Sequence, residues 1–219
     1  MFSWDTPLVR SAAKKYFFIV ALLLLWPAGC AKLGRFVDST NRYYTNDYKK
    51  ICTKWTREAR IHRGLEVDLI VSATFKSQEF RAAYAREYAA AYQLTTDDAE
   101  CLPDDQTEGA AESLEFFVAT FVPEKKWDEF DKYDSVWKIY FLNDNNDRVV
   151  PMEVRRLKGK AAIASHFFPY VTPWKSLYTV RFPRHLPEKG LPVVGDDTKT
   201  IRLVITGVLG TAEMTWNLQ

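Results

Sequence analysis

The chain has 219 residues, 47% of them hydrophobic and 26% charged, with 30 Lys and Arg against 28 Asp and Glu and a formal net charge of +2 at pH 7. That length holds one well-buried domain and is short for two, and a charge so near balance leaves no electrostatic footprint for nucleic acid or for anionic lipid surfaces. No internal repeat or low-complexity segment runs through it.

The first element is a leader. Arg10, Lys14 and Lys15 precede an uninterrupted apolar run over residues 16–26, shorter than the ~20 apolar residues with which a helix crosses a bilayer. Pro27 stops a continuing helix, and Ala28 and Gly29 have side chains small enough for a signal-peptide cleavage pocket. By themselves these residues fit a conventional signal peptide or an uncleaved anchor. The run Pro27-Ala28-Gly29-Cys30 resembles the lipobox of bacterial lipoproteins, departing from it in Pro27, where that class usually carries Leu or another aliphatic residue. The resemblance covers the leader alone. It implies a diacylglyceryl group on the Cys30 thiol, cleavage just before Cys30 and acylation of the new amino terminus. Two or more acyl chains hold a protein stably at a membrane, where one holds it marginally. Ala31 stands where an Asp would retain such a protein at the inner membrane, so the resemblance also implies an outer-membrane anchor facing the periplasm.

Cleavage there leaves 190 residues in which basic and acidic side chains balance. We expect a signal peptide over residues 1–29, a lipidated Cys30 with a polar tether over residues 30–47, and a single domain over residues 48–219. With Cys30 committed to lipid, Cys52 and Cys101 are an even pair in an oxidising compartment, a candidate disulfide that would close a loop of about 50 residues and contribute roughly 3–4 kcal/mol. Two separate buried thiols are the alternative.

Residues 49–63 place Ile51, Thr53, Trp55, Ala59 and Ile61 on odd positions among charges, which favours a strand over a helix. Gly64 turns the chain into the clearest strand, residues 65–75, where Leu65, Val67, Leu69, Val71, Ala73 and Phe75 alternate with a more polar set. Ser77 caps a helix over residues 78–94, rich in good helix formers. Its Phe80, Tyr84, Tyr88 and Tyr92 recur every four residues, as a core-facing stripe does. Residues 95–100 read as a further cap and turn, and residues 103–111 as an acidic loop.

Beyond Glu112 the pattern is β. Residues 114–122 are apolar on both faces, as in a central strand, and Pro123 ends them. One helical turn is expected among residues 124–134. Residues 136–142 and 149–157 flank Asn143-Asp144-Asn145-Asn146-Asp147, the turn chemistry of a hairpin. Residues 163–168 read as a short strand. Residues 178–182, between Pro173 and Pro183, read as an edge strand, and residues 200–209 and 211–218 as a final pair with Gly207 and Gly210 at the bend. Eight or nine short strands and 32 aromatic residues predict a mainly β fold, an antiparallel immunoglobulin-like β-sandwich with one amphipathic helical insertion. A lipocalin-like barrel is the alternative.

Chemistry leaves few marks. His62, His166 and His185 lie in separate segments without the spacing of a helical zinc pair, and the Asn-Asp loop lacks the Gly and Glu of a calcium loop. There is no phosphate-binding glycine loop and no nucleophile elbow. No cofactor, metal or catalytic residue is assigned. From His166 to Pro183, six aromatic residues, a histidine and three prolines crowd together. An exposed part of that stretch would bind an envelope protein, peptide or glycan, with Phe168, Tyr170 and Trp174 as the candidate aromatics. The expected function is therefore a non-catalytic binding or scaffolding module in the periplasm. A periplasmic hydrolase, with a cleft gathering acids around His166 or His185, is the alternative.

Overall fold

The computed structural model describes residues 46–94, 113–187 and 190–218. The leader, Cys30, Ala31, the tether as far as residue 45, the segment 95–112 and Cys101 lie outside the described residues. What is described belongs to one compact unit spanning residues 45–219.

The chain opens with a helix, α1 (Asn46–Trp55), where a strand was expected. Period two and period 3.6 compete in this segment. The helical one wins because Tyr48, Cys52 and Trp55, at i, i+4 and i+7, are the three residues it buries. Only its continuation is a strand, β1 (Thr56–Arg63). Gly64, in the left-handed region at φ +65°, turns it into β2 (Glu66–Phe75). On β2 the expected apolar set Leu69, Val71, Ala73 and Phe75 is buried, but Leu65 is exposed and Asp68, Ser72 and Thr74 of the alternate set are buried too, so both faces are covered.

The Ser77 hydroxyl accepts a hydrogen bond from the Phe80 amide and starts α2 (Gln78–Tyr92). β3 (Ser113–Phe121) follows, then a single 3-10 turn at Lys125–Trp127. The carboxylate of buried Asp128 just after that turn accepts hydrogen bonds from Arg156 and from Ser176, pinning the long connection to the sheet. β4 (Trp137–Leu142) and the short β5 (Arg148–Val149) form the hairpin around the Asn-Asp loop. The Asn143 side-chain oxygen accepts from the amides of Asn145 and Asp147, and Asp144 accepts from the amides of Lys199 and Thr200. Asn143 and Asp144 thus commit their oxygens to backbone donors, while Asn146 accepts from Arg202 and Asp147 from the Asn143 side chain.

The expected arm over residues 149–157 is in fact two strands in different sheets. Pro151, without an amide hydrogen, separates β5 from β6 (Glu153–Arg156), which pairs with the opposite sheet. Residues 163–168 are also corrected. Ala161–Phe167 is a helix, α3, whose alanines favour that state. β7 (Ser176–Pro183) lies between β3 and β6 and is not an edge strand; Pro183 marks its end rather than its flank. β8 (Thr200–Gly207) and β9 (Gly210–Asn217) close the chain.

All pairings are antiparallel, in two sheets ordered β1-β2-β3-β7-β6 and β5-β4-β8-β9. With β1 set aside, these are the ABED and C′CFG orders of an immunoglobulin-like sandwich, so the expected fold is the observed one. Phe116 joins the two layers, its ring 6.1 Å from Phe141 and 5.3 Å from Trp216. The extra strand β1 lies beside β9. Arg57 donates to the Thr215 carbonyl, and the Trp216 indole donates to the Trp55 carbonyl. Among the described residues there are three α-helices rather than one, and α2 and α3 cover the outer face of the larger sheet.

Candidate functional site

In a strand, alternate side chains face opposite sides. On β3 and β7 the inward set includes Phe116, Val118, Tyr178, Val180 and Phe182, which leaves Glu115, Phe117, Thr179 and Arg181 on the outer face. Register places Glu115 opposite Arg181, and Arg181 opposite Glu153 of β6, so a charged row crosses the sheet beneath the helices.

Glu115 is 2% exposed. One carboxylate oxygen lies 2.6 Å from Lys76 Nζ and the other 3.2 Å from Arg81 Nη2. Arg81 also donates from Nε to the Lys76 carbonyl at 3.0 Å, so the start of α2 is tied to β2 and β3 together. Burial alone would push the Glu115 carboxyl up, but Lys76, Arg81 and Arg181 outweigh it and hold the group below the usual carboxylate range. For Lys76 the balance is reversed. Loss of hydration outweighs the attraction of Glu115, and the neighbouring Arg81 and Arg181 add to that, so its ammonium titrates below the ordinary lysine range.

Arg181 is less well matched. Its Nη1 is 3.4 Å from Glu153, whose other oxygen lies 3.5 Å from Arg155 Nε. Its own Nε is buried and meets no acceptor among the described residues. A buried donor left in that state costs about 1–3 kcal/mol.

Beside it is a recess of about 180 Å³. Its floor is Glu115, Phe117, Thr179 and Arg181, with Arg155 at one side; Tyr84 of α2 and Ile163, Ala164 and Phe167 of α3 form walls, and Lys160 is at the lip. Among the described lining residues, Lys76, Arg155, Lys160 and Arg181 are cations and Glu115 is the one carboxylate. The recess is therefore cationic on one side and aromatic on the other.

Phe168 is not exposed. It is 4% accessible and stacks flat on Phe117, with centroids 3.9 Å apart and planes 11° apart. Phe80 and Tyr84 of α2 lie over it at 5.9 and 6.0 Å. Phe80, Tyr84 and Tyr88 of the α2 stripe thus pack on Phe167 and Phe168, while Tyr92 is exposed. Tyr170 is half-buried, and its hydroxyl is 2.6 Å from Thr74 Oγ1. Of the three candidate aromatics, Trp174 alone is exposed, at 73%. Cys52 is a buried thiol 3.9 Å from Thr56 Oγ1 and from the Phe167 carbonyl, and burial pushes it up from the ordinary thiol range. His166 packs edge-on against Phe167, and His185 bridges to Pro192; neither lines the recess. Among the described residues no three of His, Cys, Asp and Glu come together as a metal site, and no helix is long and apolar enough to cross a membrane.

Lys76, Glu115 and Arg181 were not singled out from the sequence. Glu115 carries a visible signal, a lone charge inside the otherwise apolar SLEFFVATF, but its cationic partners come from distant segments. No protein-family model, curated protein or solved structure matches this chain.

Proposed function

We propose that this protein is a lipid-anchored envelope lipoprotein whose immunoglobulin-like sandwich is a non-catalytic binding module in the periplasm, with the recess beneath α2 and α3 as its binding site. The anchor rests on the leader and Cys30, and the outer-membrane address on Ala31. The observation that carries the binding role is a recess that sets the partly exposed Arg181 guanidinium, with Arg155 and Lys160, beside aromatic and aliphatic side chains. Small-ligand sites pair a mostly apolar lining with a few placed polar groups, and the partly exposed Arg181 guanidinium is one such group here. Phe168 and Tyr170 are framework for the recess in this reading, and Trp174 is left as the exposed aromatic for an envelope protein, peptide or glycan.

The anchoring half is tested by the intact mass of the detergent-extracted protein from a Gram-negative host, beside Cys30→Ala. We expect a mature species beginning at Cys30 with added acyl mass, absent from the variant and fractionating with the outer membrane. An unmodified or uncleaved chain would remove the lipoprotein assignment. The binding half is tested by titration of the recess.

A further inference from the structure

We infer that the recess takes a small organic acid, its carboxylate held by Arg181 and Arg155 and its short apolar body lying against Phe117, Phe167 and Ile163. The inference deepens the binding-module reading and rests on it.

The head group follows from the donors. Glu115 is engaged on both oxygens by Lys76 and Arg81, so Arg181, opposite it in register, feels its charge without a hydrogen bond to it. Glu153 approaches one Arg181 nitrogen at 3.4 Å from a partly exposed position and is shared with Arg155. Two partly exposed guanidinium groups therefore share one partly exposed carboxylate, at 3.4 and 3.5 Å. Planar guanidinium donors match a carboxylate's two oxygens. Lys76, buried on the same floor, adds positive charge where water is scarce and Coulomb attraction is strong.

The body follows from the walls. Opposite the guanidiniums the lining is Phe117, Phe167, Phe168, Ile163 and Leu157, surface that gains by covering carbon and gains nothing from a fully hydrated inorganic anion. Size is limiting too. A recess of about 180 Å³ is below the range of about 300–1,000 Å³ typical of drug-sized ligands. A short-chain or single-ring acid fits both limits.

The test is calorimetric titration of the full-length detergent-solubilised protein at constant ionic strength with acetate, pentanoate, benzoate and inorganic phosphate. We expect pentanoate or benzoate to bind about tenfold or more tighter than acetate and than phosphate. Arg181→Gln should weaken that binding by about tenfold or more. Because Arg181 lies in the sheet, Ile163→Trp on the exposed side of α3 is the second variant; it should fill the apolar side and abolish binding while the thermal transition is unchanged. Phosphate binding as tightly as the organic acids would overturn the ligand class and leave the binding-module reading standing. Binding that survives both variants would move the site away from the recess. If none of the four probes binds, the ligand inference and the recess as a site both fall, while the anchor is judged separately by the mass of the Cys30 species.

Discussion

Phe168 and Trp174 are six residues apart in one aromatic stretch, and their burial is opposite. Phe168 lies between the helices and β3, stacked on Phe117, and Trp174 is open to solvent. Removing a buried phenyl ring takes away its transfer free energy and leaves a cavity, so Phe168→Ala should destabilise by about 3–5 kcal/mol. Trp174→Ala touches no packed surface and should change stability by no more than about 0.5 kcal/mol. Urea denaturation of the two variants checks both. Equal losses would mean that Trp174 is also packed.

At the scale of elements, the least expected contact is that of β1 with β9. The two strands lie in different sheets and meet where Ile61 packs over Gly210. Gly210 has φ +138°, and a Cβ there would sit 2.7 Å from Ile61 Cγ2. Gly210→Ala should therefore combine backbone strain with overpacking and cost about 1–3 kcal/mol. If the contact with Ile61 is the larger part, Ile61→Ala in the same chain should recover some of that loss in a double-mutant cycle. A glycine at a bend is readable from sequence, but the side chain it makes room for comes from the far end of the domain.

At the scale of the molecule, the charged row beneath α2 and α3 sets the acid limit of stability. The native Glu115 carboxyl titrates below its ordinary value of 4.5. A lowered carboxylate contributes stability above its unfolded value, and that contribution is lost as pH falls through the native one. Protonating Glu115 would also leave Lys76 and Arg81 charged and buried without their counter-charge. The urea midpoint should therefore drop as pH falls below 4.5. Glu115→Gln should be less stable at neutral pH, with a flatter acid limb. A wild-type acid limb unchanged in the variant would assign acid sensitivity to other carboxylates.

Local periodicity was enough for β2, α2 and the closing hairpin, and the number and length of the strands for a sandwich, because one buried face imposes period two or 3.6 on the chain itself. The lipobox-like leader is likewise a property of contiguous residues, and so is the expectation of an anchor. Local pattern misassigned α1, α3 and the central position of β7. In each, the deciding fact is what packs against the segment: Tyr48 donating to the Phe167 carbonyl, Phe167 against Tyr84, and β6 crossing sheets after Pro151 to cover β7. The candidate site belongs to that second class entirely. Lys76, Glu115, Arg155 and Arg181 come from four separate strands or strand ends, and nothing in their spacing marks them as neighbours. Strand pairing sets Glu115 opposite Arg181, and the helices laid over the sheet turn that row into the floor of a recess.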